Sequence, residues 1–261
     1  MIDWDTVTSG PADADHTVLL LPGAFATAVF YEDLMAEPAL EGVRLVAATL
    51  PGQGGTPVVD DLSIEGYAAL AGKLATDLGC DAIVGHSTGA NVALEMAASG
   101  TFSGPLVLLA PSLSRPDESI IPRILDQLGL VLGNLPFLLL RSLIGPFLKS
   151  SFRPERRAAL LAAFRRNNPA VMRTHLHHYL TYLDQHGSVA GRLCAAAVPS
   201  WLLYGAKDDV TITPTERHTL ESCGVTVITL PNTRHFIANE QPTEVATLLH
   251  QVLTSRRPNA G

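Results

Sequence analysis

A serine set among small neighbours, a loop with paired aspartates and a loop with a histidine are the residues of this chain best suited to chemistry. Ser87 is the centre of Gly85-His86-Ser87-Thr88-Gly89, Asp208 and Asp209 end Tyr204-Gly205-Ala206-Lys207-Asp208-Asp209, and His235 lies in Asn232-Thr233-Arg234-His235-Phe236. A serine hydroxyl is a poor nucleophile at neutral pH until a base takes its proton. An imidazole can be that base, and a carboxylate behind it fixes the tautomer and stabilises the imidazolium. Ser87 is therefore the candidate nucleophile and His235 its base. Asp208, Asp209 or the more distant Asp117 could supply the acid. The tetrahedral intermediate of acyl transfer also needs two backbone N–H donors. One is expected from Thr88, directly after the nucleophile, and the other from the loop Pro22-Gly23-Ala24-Phe25.

These residues need a scaffold that delivers them to one place. Short apolar runs rich in branched residues, bounded by Gly, Pro or polar residues, read as buried strands at Thr17–Leu21, Val43–Thr49, Ala82–Val84, Leu106–Ala110, Ser200–Tyr204 and Val225–Leu230. Helical patterns such as Ile64–Leu78 and Asn91–Ala98 lie between them. Strand and helix in alternation imply a mostly parallel central sheet flanked by helices, an α/β fold. The pentapeptide then falls at a strand–turn–helix junction, which is what gives it chemical meaning. The aspartate and histidine loops each follow a strand as well.

The alternation lapses from Ser112 to Val198, where Leu-rich and Arg/Ala-rich helical patterns are broken by prolines. This reads as a helical insertion over the C-terminal edge of the sheet, dividing the chain into core 1–111, insertion 112–198 and core 199–261. Within it, Leu125 to Leu148 is apolar enough either to line a pocket for an apolar group or simply to pack. Leu128 to Leu148 has the length of a membrane span, but Asn134, Pro136, Arg141, Gly145 and Pro146 interrupt it, so stable membrane insertion is not expected. His175, His177 and His178 share one helical segment without an acid or cysteine to complete a metal site, and are expected at the surface.

With 47% hydrophobic and 16% charged residues, the chain has the profile of a globular protein rather than a disordered one. A formal charge of −7 and the absence of a basic stripe argue against a nucleic-acid partner. Arg153–Arg157 and Arg165-Arg166 read as solvated helix faces. Cys80, Cys194 and Cys223 are odd in number and scattered, so no disulfide is expected; with a polar start to the chain, the expected location is cytoplasmic.

Five segments in order resemble the α/β-hydrolase superfamily. LLLPGAFATA is similar to its oxyanion loop, ATLPGQGGT to the glycine-rich loop after the next strand, and VGHSTGANVALEMA to its nucleophile elbow; YGAKDDV and TRHFIANEQP resemble its acid and base loops. The resemblance covers about the first 111 residues and the last 60, leaving the insertion unmatched. It implies Asp208 rather than Asp209 as the acid, His235 as the base, and Ala24 with Thr88 as the oxyanion amides. It further implies acyl-enzyme chemistry on a carboxylic ester, thioester or lactone of an apolar small molecule, without metal or cofactor. C–C bond hydrolases, perhydrolases and hydroxynitrile lyases of the superfamily share that triad, as could a non-catalytic receptor. Haloalkane dehalogenases and epoxide hydrolases carry aspartate as nucleophile, which sets them apart from this chain. Pro22 replaces the usual histidine, Ala90 stands where many members have glycine, and only 16 residues precede Thr17, leaving open whether the usual first strand is present.

Overall fold

The computed structural model describes residues 2–146 and 152–255. Phe147 and Leu148, which end the apolar stretch, and residues 256–261 of the last core segment lie outside the described residues. Seven strands form one sheet: β1 (Thr6–Ser9), β2 (Thr17–Leu21), β3 (Arg44–Ala48), β4 (Ala82–His86), β5 (Leu106–Leu109), β6 (Ser200–Gly205) and β7 (Thr226–Leu230). Their spatial order is β1-β3-β2-β4-β5-β6-β7, with β1 antiparallel to β3 and the other neighbours parallel. A first strand is therefore present; it is short and sits at the sheet edge, which is why so few residues suffice for it.

Among the described residues, the helices of seven residues or more are α1 (Ile64–Leu78), α2 (Thr88–Ala98), α3 (Ile120–Leu132), α4 (Leu135–Leu143), α5 (Pro154–Arg165), α6 (Pro169–His186), α7 (Ala190–Ala196), α8 (Pro214–Ser222) and α9 (Pro242–Thr254). Local chemistry sets their ends. The Ser63 hydroxyl accepts from the Gly66 amide 3.0 Å away to open α1, and Gly79 closes it in the left-handed conformation, φ 64°. Between β5 and β6 the described residues hold α3 to α7 and no strand.

Both faces of the sheet are covered, which explains why its strands read as unbroken apolar runs. Every residue of β2 is buried. Leu19 and Leu21 pack toward Tyr67 and Ala71 of α1 and Val92 of α2, while Val18 and Leu20 pack toward Val245 and Leu249 of α9. The chain runs from β2 outward to β3, then returns past β2 to β4. The carboxyl ends of β2 and β4 thus adjoin where the winding reverses, the place where open α/β sheets form a crevice. The Ala24 loop leaves one of these ends and Ser87 the other.

One expectation is overturned. Cys194 of α7 and Cys223, just past α8, form a disulfide, with Cα atoms 5.7 Å apart and a sequence separation of 29. Spacing along the chain did not show it because β6 intervenes and only the packing of α7 beside α8 brings the two together. Cys80 stays a free thiol. Closing a loop of this length should stabilise the fold by about 3–4 kcal/mol. Reduction, or Cys223→Ser, is expected to lower the midpoint of thermal unfolding by several degrees; an unchanged midpoint would show that the link bears no load.

Candidate active site

β4 ends in His86 and α2 begins at Thr88, leaving Ser87 alone to make the turn. Its backbone sits at φ 51°, ψ −122°, a conformation that costs a non-glycine residue about 1–3 kcal/mol. The surroundings hold it there. The Ser87 amide donates to the Leu109 carbonyl at 2.8 Å, and the Ser87 carbonyl accepts from Ala90 at 2.8 Å. The pentapeptide's glycines follow from the same closeness. A Cβ on Gly85 would lie 2.4 Å from the Gly89 carbonyl oxygen, and one on Gly89 would lie 2.2 Å from that of Leu21. Any side chain at either position would separate the strand from the helix.

The loops that carry Asp208 and His235 converge on this turn. Asp208 Oδ2 and His235 Nδ1 are 2.9 Å apart, and the Asp208 side chain is only 4% exposed. Its other oxygen accepts from the Val210 amide at 3.0 Å, so both carboxylate oxygens are engaged. Asp209 is exposed. Burial alone would disfavour the His235 imidazolium, but the Asp208 hydrogen bond and charge outweigh it, helped by Glu118 and Glu240, and its pKa stands above the ordinary histidine value.

His86 is a contributor that the sequence reading passed over. Its Nε2 donates to the His235 carbonyl at 2.9 Å, and its ring stacks on Phe30 at 4.7 Å between centroids. Burial holds its pKa down at about 3, so it is a neutral strut between the Ser87 turn and the His235 loop.

The loop Pro22–Phe25 is fixed from two sides. Phe25 is left-handed, φ 64°, which turns the loop back over the end of β2. The Gln53 carboxamide accepts from the Phe25 amide, and Asn167 Nδ2 donates to the Phe25 carbonyl at 2.8 Å. Asn167 is 1% exposed and also accepts from the Gly54 amide at 2.8 Å, so one side chain from the helical stretch between β5 and β6 clasps both loops at the sheet edge. Thr88 opens α2, where a helix has no internal acceptor for its first amides. The Ala24 and Thr88 residues border the same pocket as Ser87. Asn167→Ala should free the Phe25 turn and lower kcat about tenfold or more, with a smaller change in KM. Asn167→Asp, which sets a carboxylate against the Phe25 carbonyl, should fare no better; steady-state kinetics on a chromogenic ester checks both.

The alpha/beta hydrolase family model matches residues 18–248. The chain belongs to the alpha/beta hydrolase family. No curated protein matches it in sequence. In fold it is similar to a thermophilic esterase from Thermogutta terrifontis, with a TM-score of 0.74 and 17% identity over 97% of this chain and 94% of that one. It is likewise similar to olei00960, a hydrolase from Oleispira antarctica, with a TM-score of 0.73 and 17% identity over 95% and 94% of the two chains. The epoxide hydrolase CorEH also matches, with a TM-score of 0.73 and 20% identity over 97% and 95%. At such identities the likeness is one of fold.

In this hydrolase the residues singled out in sequence, Ala24, Ser87, Thr88, Asp208 and His235, all border one pocket of about 350 Å³. Ile121, Leu125, Leu140, Ile144, Phe164 and Leu176 form its apolar side. The Leu-rich stretch therefore lines a pocket in addition to packing. Asp117, the alternative acid, is turned away: it is buried, accepts from the Ser114 hydroxyl at 2.5 Å, and burial beside Glu216 raises its pKa to about 6. Its neighbour Glu118 faces the pocket instead, taking hydrogen bonds from Ser112 Oγ at 2.9 Å and Tyr179 Oη at 2.7 Å. Nothing local in the sequence separates these two acids; the path of the chain after β5 does.

His175 also departs from expectation. It is 1% exposed, packed on Phe25 and Tyr67, and burial lowers its pKa to about 4. His177 is exposed and meets Asp126 at 3.0 Å. No group of metal-ligating side chains forms among the described residues.

Proposed function

We propose that this alpha/beta hydrolase is a serine hydrolase that cleaves carboxylic esters of apolar acids through an acyl-enzyme on Ser87. The observation that carries the reading is the 2.9 Å contact from buried Asp208 to His235, in the same pocket as a serine held in a strained turn. His235 Nε2 takes the Ser87 proton as Oγ bonds to the acyl carbon. The carbonyl oxygen becomes an oxyanion and receives the Ala24 and Thr88 amides, reinforced by the N-terminus of α2. Collapse breaks the bond to the leaving alcohol, which departs with the proton from His235. Water then repeats the sequence on the acyl-enzyme and releases the acid. These steps call on no metal or organic cofactor.

We take the 112–198 segment as a cap whose apolar side chains receive the acyl group. A thioester or lactone would follow the same course. Serine rather than a carboxylate at position 87 weighs against epoxide opening, whatever the fold neighbours do. No helix among the described residues is long and apolar enough to cross a membrane. The Cys194–Cys223 disulfide counts against the expected reducing cytoplasm and in favour of an oxidising location.

A series of p-nitrophenyl esters of increasing acyl length tests the reading. The expected result is turnover with kcat/KM rising from acetate to a medium-length acyl chain, then falling as the pocket fills. Absence of turnover across the series would overturn the esterase assignment and leave the same side chains for C–C cleavage or lyase chemistry.

A further inference from the structure

Apolar surface on this protein is concentrated on one feature. Among the described residues twelve large hydrophobic side chains are exposed, and eleven of them lie between Ile120 and Leu143, on and between α3 and α4. Globular surfaces normally scatter such residues singly, and a contiguous patch marks a contact with something else. The inner side of α3 is committed already, since Ile121 and Leu125 border the pocket and Gly129 lies against Phe137. Its outer side is apolar too, with Ile120, Ile124 and Val131 exposed by 63%, 49% and 81%. A helix apolar around most of its circumference belongs inside an apolar medium.

The charges of the chain are segregated in the same region. Nine of its 18 lysines and arginines fall in 119–173, against two of its 25 acidic residues, so this segment carries a formal +7 and the rest of the chain −14. Of the two acids, Asp126 is buried against Arg115 at 3.3 Å, which leaves Glu155 as the exposed carboxylate among the segment's described residues. Arg123, on α3 itself, and Arg153 and Arg165, at the two ends of α5, are exposed.

We propose that the outer face of the α3–α4 pair docks on an anionic lipid surface. An apolar helical face that carries exposed Arg123, in a segment with one exposed carboxylate of its own, is complementary to lipid tails below anionic headgroups. A second copy of this chain fits less well, because pairing like faces would set one +7 segment against another. A groove on a protein partner fits less well too. Such grooves read a narrow stripe at helical spacing, whereas Leu130, Val131 and Leu132 are consecutive, point in three directions and are exposed by 61%, 81% and 50%. A fluid phase can cover all three. Because Ile121 and Leu125 of the same helix border the pocket, docking would place the pocket beside the lipid, though the surface itself does not depend on the chemistry at Ser87.

The test is co-sedimentation of the purified full-length protein with phosphatidylcholine vesicles, with and without about one-third phosphatidylglycerol. Each arginine brought to an anionic surface is worth about fivefold in partitioning, so binding to the anionic vesicles should exceed binding to neutral ones by at least about tenfold and weaken in high salt. Val131→Asp with Leu143→Asp, at positions 81% and 70% exposed, should abolish it while circular dichroism and ester turnover in solution are kept. Equal partitioning into both vesicle types would overturn the proposal, as would failure to bind either. A dimer in gel filtration that the double variant converts to monomer, without vesicle binding, would assign the face to a second copy instead.

Discussion

Ser87→Ala is expected to lower ester turnover by on the order of 10⁴-fold or more, leaving only what the pocket and the oxyanion amides supply without a nucleophile. The fold should be unaffected. Alanine meets the same φ of 51° with the same Cβ, and the turn is held by backbone bonds to Leu109 and Ala90 that the hydroxyl does not share. Thermal unfolding should therefore coincide with that of the parent protein while kcat collapses. A variant that keeps near-parental turnover would remove Ser87 from the chemistry, and one that unfolds early would make the comparison one of stability.

Asp208→Asn should cost nearly as much, about 10³–10⁴-fold in kcat, although it changes one atom. The carboxamide can present its NH₂ to His235 and so favour the tautomer with the proton on Nε2, where it cannot accept one from Ser87. It also removes the charge that holds the His235 pKa above its usual value. The base works in its neutral form, so kcat/KM of the parent should rise with pH through that elevated pKa. In the variant the acidic limb should move to lower pH while the plateau falls. Asp209→Asn is the internal control. Its side chain is exposed at the pocket border and it is Asp208 that meets His235, so turnover within about twofold of the parent is expected. A larger loss at 209 than at 208, or an acidic limb that stays in place without Asp208, would mean that another group orients the imidazole.

The sheet could be read from sequence because its information is local. TVLLL is a β-strand over the residues its pattern marked, and α1 runs from Ile64 to Leu78 as the helical pattern indicated, between a serine cap and a glycine stop. The pentapeptide was legible for the same reason: two glycines and a serine between strand and helix permit few other geometries. Asp208 and His235 could be proposed since each follows its own strand. What escaped depended on contacts across the chain. Asn167 reaches Phe25 from 142 positions away, and Tyr179 reaches Glu118 from 61. No periodicity encodes which asparagine of a polar pair will be buried between two loops. His175, Cys194 and Cys223 belong to the same class, their surroundings being set by how helices distant in sequence pack together. Glu118 rather than Asp117 faces the pocket because of a short turn after β5, a matter of one residue that composition cannot decide.

The most direct measurement of the account is the site of covalent capture by a fluorophosphonate, read by intact mass and then by peptide mapping. The expected result is a single adduct on Ser87 in the folded protein, absent from Ser87→Ala and formed much more slowly in Asp208→Asn. An unmodified parent protein, or an adduct on another residue that persists in Ser87→Ala, would contradict the assignment of Ser87 as the nucleophile.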